Sequence, residues 1–154
     1  MATNIKVEIE GNTSKFLEKA STNTLLSLDK LLLQSAFKID ATAKKEIQTG
    51  NRTGKEYKRG RGRSAKRGRR SAPGEYPKTD RGSLVRSIRV KQQDFLNIEV
   101  GSTVNHGKFL EEGTRFMQPR PFLEPSLKKE LPKMNSNVEK TVGRSFKIAQ
   151  NKAR

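Results

Sequence analysis

The chain has 154 residues, is 31% apolar and lacks tryptophan, which suits one domain with a small core rather than two domains or a large buried interior. Its 33 Lys and Arg against 16 Asp and Glu leave a formal charge of +17, a surplus that repels itself in a compact monomer and suits a chain held against a polyanion or an acidic surface. Cysteine is absent and His106 is the single histidine, so disulfides, thiol nucleophiles and a multi-histidine metal set within one chain are excluded.

Residues 5–10 alternate Ile5, Val7 and Ile9 with Lys6, Glu8 and Glu10, which predicts a short half-buried strand ended by Gly11. Asn12, Thr13 and Ser14 then offer helix-capping oxygens. From there the period becomes helical. Leu17, Ala20, Leu25, Leu28, Leu32, Ile39, Ala43 and Ile47 recur at three- and four-residue steps, predicting one long amphipathic helix over about 14–48. At about 1.5 Å per residue it spans on the order of 50 Å, long enough to need a large partner surface.

Residues 50–82 read as an extended basic loop. They hold seven of the twelve glycines and almost no aliphatic residue. Ten cations fall between residues 52 and 70: Arg52, Lys55, Lys58, Arg59, Arg61, Arg63, Lys66, Arg67, Arg69 and Arg70, with Glu56 the one acid. Such a tract binds phosphates, docks on an acidic protein surface, or stays solvated, and its composition leaves these three readings open. No aromatic lies between Lys58 and Ser71, so base stacking is not offered there and phosphate binding would ignore sequence.

Order returns at Leu84. Alternation of Ile88 and Val90, then of Leu96, Ile98 and Val100, predicts an antiparallel hairpin with strands over 86–93 and 95–101. A connecting segment follows over 103–121, with His106 as a loop residue. A last helix is expected over 124–149, with Pro125 in its first turn and a stripe of Leu127, Leu131, Met134, Val138, Val142 and Phe146. Pro132 should kink or interrupt it. The fold class is therefore α+β: a small antiparallel sheet of an N-terminal strand plus a hairpin, packed with a long N-terminal and a C-terminal helix, carrying a long basic loop, all in one domain over 1–154.

The chemistry-bearing patterns are sparse. No nucleophile elbow surrounds a serine, Gly54-Lys55 lacks the rest of a phosphate-binding loop, and no catalytic triad is available around His106. Glu111 and Glu112 are neighbours and point apart on regular structure. No leader pattern or long apolar run is present, so neither a secretion signal nor a membrane span is expected. The chain is expected to be neither an enzyme nor a cofactor carrier.

Two blocks carry a resemblance. One is Ala72-Pro73-Gly74-Glu75-Tyr76-Pro77, followed by Gly82-Ser83-Leu84. The other runs Glu111-Glu112-Gly113-Thr114, then Pro119-Arg120-Pro121-Phe122, then Pro125-Ser126-Leu127 at a helix start. In their order and spacing they resemble the tailed-bacteriophage neck and tail-completion family, also described as minor tail or tail-component proteins. The family often has Thr-Gly where this chain has Asp80-Arg81-Gly82.

Read from the residues alone, Gly113-Thr114 suits a sharp turn, Arg120 is held stiffly between two prolines, and Phe122 plugs the core. The resemblance implies a structural virion protein, built in the host cytoplasm, forming a hexameric or dodecameric ring at the head–tail junction. Its neighbours would be other neck, head-closure and tail-terminator or tail-tube proteins, with non-specific DNA contact in the channel. A tail terminator capping the tail tube is the nearest alternative. A sequence-independent basic nucleic-acid-binding protein is the alternative of another class.

Overall fold

A computed structural model describes residues 4–7, 22–60, 66–78 and 81–152. Its elements are β1 (Asn4–Val7), α1 (Thr22–Thr49), β2 (Glu56–Arg59), β3 (Lys66–Arg69), α2 (Ser83–Ser87), β4 (Ile88–Asp94), β5 (Asn97–Ser102), α3 (Asn105–Glu112) and α4 (Leu123–Lys152). The class is α+β, with a three-stranded antiparallel sheet in the order β1-β5-β4 and a separate two-stranded ribbon of β2 and β3.

The central strand of the sheet is β5. It pairs Val100 with both Ile5 and Val90, and Ile98 with both Val7 and Gln92. Both edges of β5 are thus satisfied, and Ile98, Val100, Gly101 and Ser102 are buried. The turn between β4 and β5 places Leu96 at φ 57°. There the Asp29 carboxylate accepts from the Leu96 amide at 2.9 Å and from the Gln92 side-chain amide at 3.0 Å, which pins the hairpin tip onto α1.

Helix α1 buries Leu28, Leu32, Ala36, Ile39, Ala43 and Ile47, steps of three and four that put one stripe under the sheet and α4. Phe122 and Leu123 close the core from the start of α4, together with Ile88, Leu84 and Val85. Burial of a side chain of this size stabilises by about 1.5–3 kcal/mol. Leu127 and Met134 lie half-buried against the same core, and Leu131 is turned to solvent.

Four expectations change in detail. The first hairpin strand starts at Ile88 because residues 83–87 wind into α2, entered through Gly82 at φ 73°. The connecting segment holds α3, so His106 sits exposed on a helix rather than in a loop. Gly107 gives α3 its close seat: a Cβ there would fall 2.6 Å from the Ser102 hydroxyl. Helix α4 continues through Pro132, so the proline does not interrupt it. The basic tract is not a plain loop either, since Glu56–Arg59 and Lys66–Arg69 pair as a ribbon in which Tyr57 opposes Gly68. Backbone pairing between the two strands forms there although no aliphatic residue supports it. Residues 8–21, including the start of the expected long helix, lie outside the described residues, as do Arg61 and Arg63.

Candidate functional site

The two sequence blocks fold into one joint. The Gly74 amide donates to the Pro119 carbonyl at 2.9 Å, and the Arg120 amide donates to the Leu110 carbonyl at 2.7 Å. Arg120 also sends Nε to the Ser71 carbonyl at 3.1 Å. The Tyr76 and Ser126 hydroxyls meet at 3.2 Å, and Ser126 Oγ donates to the Phe122 carbonyl at 2.6 Å. Pro77 is buried beside this contact, and Phe122 is fully buried. Lys129 lies 5.2 Å from the Tyr76 ring centre and pairs with Glu46 at 2.6 Å, a bond that raises the lysine pKa. The joint is thereby tied to α1.

Each turn of the joint has its own clasp. The Glu75 carboxylate accepts from the Thr53 hydroxyl at 2.6 Å and from the Ala72 amide at 2.7 Å. These bonds, the Thr53 hydroxyl first, hold its pKa below the ordinary glutamate value. Gly113 adopts φ 79° and a Cβ there would fall 2.8 Å from the Met117 carbonyl. Thr114 and Met117 exchange backbone hydrogen bonds at 2.7 and 3.1 Å, which leaves Phe116 at the tip, 83% exposed, with the Arg115 guanidinium over its ring.

The Glu111 carboxylate accepts from the amides of Phe122, Leu123 and Glu124 at 2.8, 3.1 and 2.9 Å. A carboxylate from α3 therefore caps α4, where orphan amides and the helix dipole both favour negative charge. Glu112 points the other way, exposed, toward Lys108 at 3.8 Å. Pro121 is half-buried, and Pro125 occupies the first turn of α4.

The cations of the basic tract separate into different environments. Arg52 is half-buried and donates Nη2 to the Ile47 carbonyl at 2.5 Å, which closes the C-terminal end of α1. Arg69 pairs with Glu56 at 3.2 Å on the exposed ribbon. Lys55 and Arg67 are exposed. Lys58 and Arg70 line an open cleft of about 460 Å³ between the ribbon and the joint. Two cations from the joint side, Lys78 and Arg120, line it as well. Tyr57 stands among them, its ring centre 5.8 Å from the Arg70 guanidinium and 5.0 Å from Lys78 Nζ. Ser71, Pro77 and Leu110 also line it, and no acidic residue does so among the described residues.

Sequence reasoning assigned Arg120 to a stiff turn and left Tyr57 and Lys78 without a role. Nothing local in the sequence pairs these three, because their meeting depends on the 74–119 contact. Leu84 is buried in the core, and Pro73 lies exposed at the turn. Among the described residues no group of three or more His, Asp or Glu is gathered as a metal set, and no helix is long and apolar enough to cross a membrane. No protein-family model, curated protein or solved structure matches the chain.

Proposed function

We propose that this chain is a structural subunit of the tailed-phage head–tail junction, a neck or tail-completion protein that forms a ring between the head-closure layer and the tail and carries no enzyme activity. One observation supports this reading most. The blocks that carry the resemblance are separate in sequence and build a single joint, bonded from Gly74 to Pro119 and from Tyr76 to Ser126, residue pairs 45 and 50 positions apart. Blocks that matched by chance have no reason to share hydrogen bonds.

The surface agrees with a chain completed by neighbours. Phe37, Phe95, Phe109 and Phe116 are exposed, and apolar side chains of this size are the usual anchors of protein interfaces. The basic ribbon would face a polyanion inside the particle.

The test is a clean deletion in the phage that encodes the protein. The expected particles are filled heads and separate tails, with joining restored by the gene supplied in trans. Normally joined, infectious particles from the deletion overturn the reading. Filled heads with joined but unstable tails of irregular length would favour the tail-terminator alternative.

A further inference from the structure

We infer that the cleft between the ribbon and the joint, with Lys58, Arg70, Lys78 and Arg120 on its walls, is a binding site for the phosphodiester backbone of nucleic acid. The inference is independent of the joining role, because it concerns what this surface binds rather than where the protein sits.

Four positive groups reach one cleft from two separate parts of the chain, with no acid among the described residues that line it. Arg120 is aimed before any ligand arrives. The prolines on either side fix its backbone, its amide is bonded to the Leu110 carbonyl, and its Nε is bonded to the Ser71 carbonyl. Among the described residues nothing occupies its two Nη nitrogens, which are the groups that fork onto phosphate oxygens. The Gly68 position opposite Tyr57 is left without a side chain. A Cβ there would sit 2.8 Å from Lys78 Nζ and 3.2 Å from the Tyr57 ring, so the glycine lets Lys78 cross the ribbon into the cleft.

The ribbon itself is built for a counter-charge. Its register sets Lys58 directly opposite Arg67. Like charges paired across two strands destabilise them. Only Glu56, opposite Arg69, offsets this at one end. A run of anions laid along the ribbon would relieve the repulsion.

Three considerations select the occupant. A small anion fills the cleft but leaves Arg67 repelling Lys58 across the ribbon, so the ligand is a polyanion. A second copy of this chain carries the same +17 and cannot supply it. An acidic protein presents its carboxylates at irregular spacing, whereas a phosphodiester backbone offers a continuous row of charge to both the cleft and the ribbon beside it. Phosphates need only positive charge and donors. Lysines and arginines without acceptors arranged to read base edges bind any sequence alike.

The experiment uses the purified full chain, labelled duplexes of two unrelated sequences, and a salt series from about 50 to 200 mM. The wild type is expected to bind both duplexes equally and to weaken steeply with salt. Each lost phosphate contact lowers the slope of log K against log salt by about 0.9, so the Lys58→Gln/Lys78→Gln variant should lose about 1.8. A control, Lys45→Gln/Lys91→Gln, removes the same charge from exposed positions outside the cleft and should keep the wild-type slope. Circular dichroism melts confirm the fold. Should the double variant melt early, Lys78→Gln alone reads the same effect at half the size. Equal losses in the cleft and control variants overturn the proposal, as does absence of duplex binding at the lowest salt. Poly-glutamate bound as tightly as duplex overturns it in favour of an acidic protein partner. A deletion phage that joins normally leaves this measurement untouched, so the two readings fail separately.

Discussion

The Gly74 amide donates to the Pro119 carbonyl at 2.9 Å, and through that bond the two turns of the joint hold each other. Gly74 itself sits at φ 80° with open space where a Cβ would go, whereas Gly113 combines φ 79° with a backbone oxygen 2.8 Å from its virtual Cβ. The two glycines are therefore needed for different reasons, and substitution separates them. Gly74→Ala should cost about 1–2 kcal/mol, the conformational penalty of a left-handed L-residue alone. Gly113→Ala should cost more, because the chain must also move away from the Met117 carbonyl. Denaturant unfolding of the two variants checks the order.

Glu111 stabilises α4 from outside the helix. Glu111→Ala leaves the Phe122, Leu123 and Glu124 amides without their carboxylate and should cost about 1–2 kcal/mol, the usual loss for a removed N-cap. Glu112→Ala, next to it and solvent-exposed, should change stability by less than about 0.5 kcal/mol. Thermal melts of both variants at neutral pH test the contrast.

The clasp around Glu75 predicts a pH dependence. Its folded-state pKa lies below the ordinary value because the Thr53 hydroxyl and the Ala72 and Thr53 amides bond the carboxylate. A group with a depressed folded pKa contributes stability above its unfolded pKa, about 4.3 for glutamate, and loses it as pH falls through the folded value. The clasp should open on acidification below the ordinary glutamate range, and Glu75→Gln should flatten that part of the stability profile. Exchange of the Ala72 amide measured against pH reads it directly, and an unchanged profile in the variant would refute it.

Core and surface apolar residues should part company. Leu28 is 1% exposed on the α1 stripe, so Leu28→Asp buries an unpaired charge and should prevent folding. Phe116→Ser removes an exposed aromatic and should leave the melting temperature within experimental scatter while weakening the self-assembly proposed above. Soluble yield and sedimentation of each variant distinguish the effects.

Much of the frame was legible in the sequence because it follows from periodicity. The α1 stripe through Leu28, Leu32, Ile39, Ala43 and Ile47, and the alternation through Ile98 and Val100, mark buried faces whatever surrounds them. What was not legible depends on contacts between distant segments. Glu111 looks idle beside Glu112 until α4 begins next to it. Tyr57 and Lys78 look like parts of a loop until Gly68 lets them meet across the ribbon. The short α2 and α3 lack enough turns for a period to show. The ribbon was missed because charge density argues against order, and backbone pairing alone gives no side-chain pattern.

The packing of α1 against α4 also sets a timetable for synthesis. Glu46 waits for Lys129, 83 positions later in the chain. At roughly 5–20 residues per second the ribosome takes about 4–17 s to cover that distance. Throughout that interval the α1 stripe is complete and its cover is not. Nascent chains on one polysome hold such stripes close together, so crowded expression should favour early helix-to-helix aggregates. Slower initiation, which spaces the ribosomes, should raise the soluble yield without any change in the sequence.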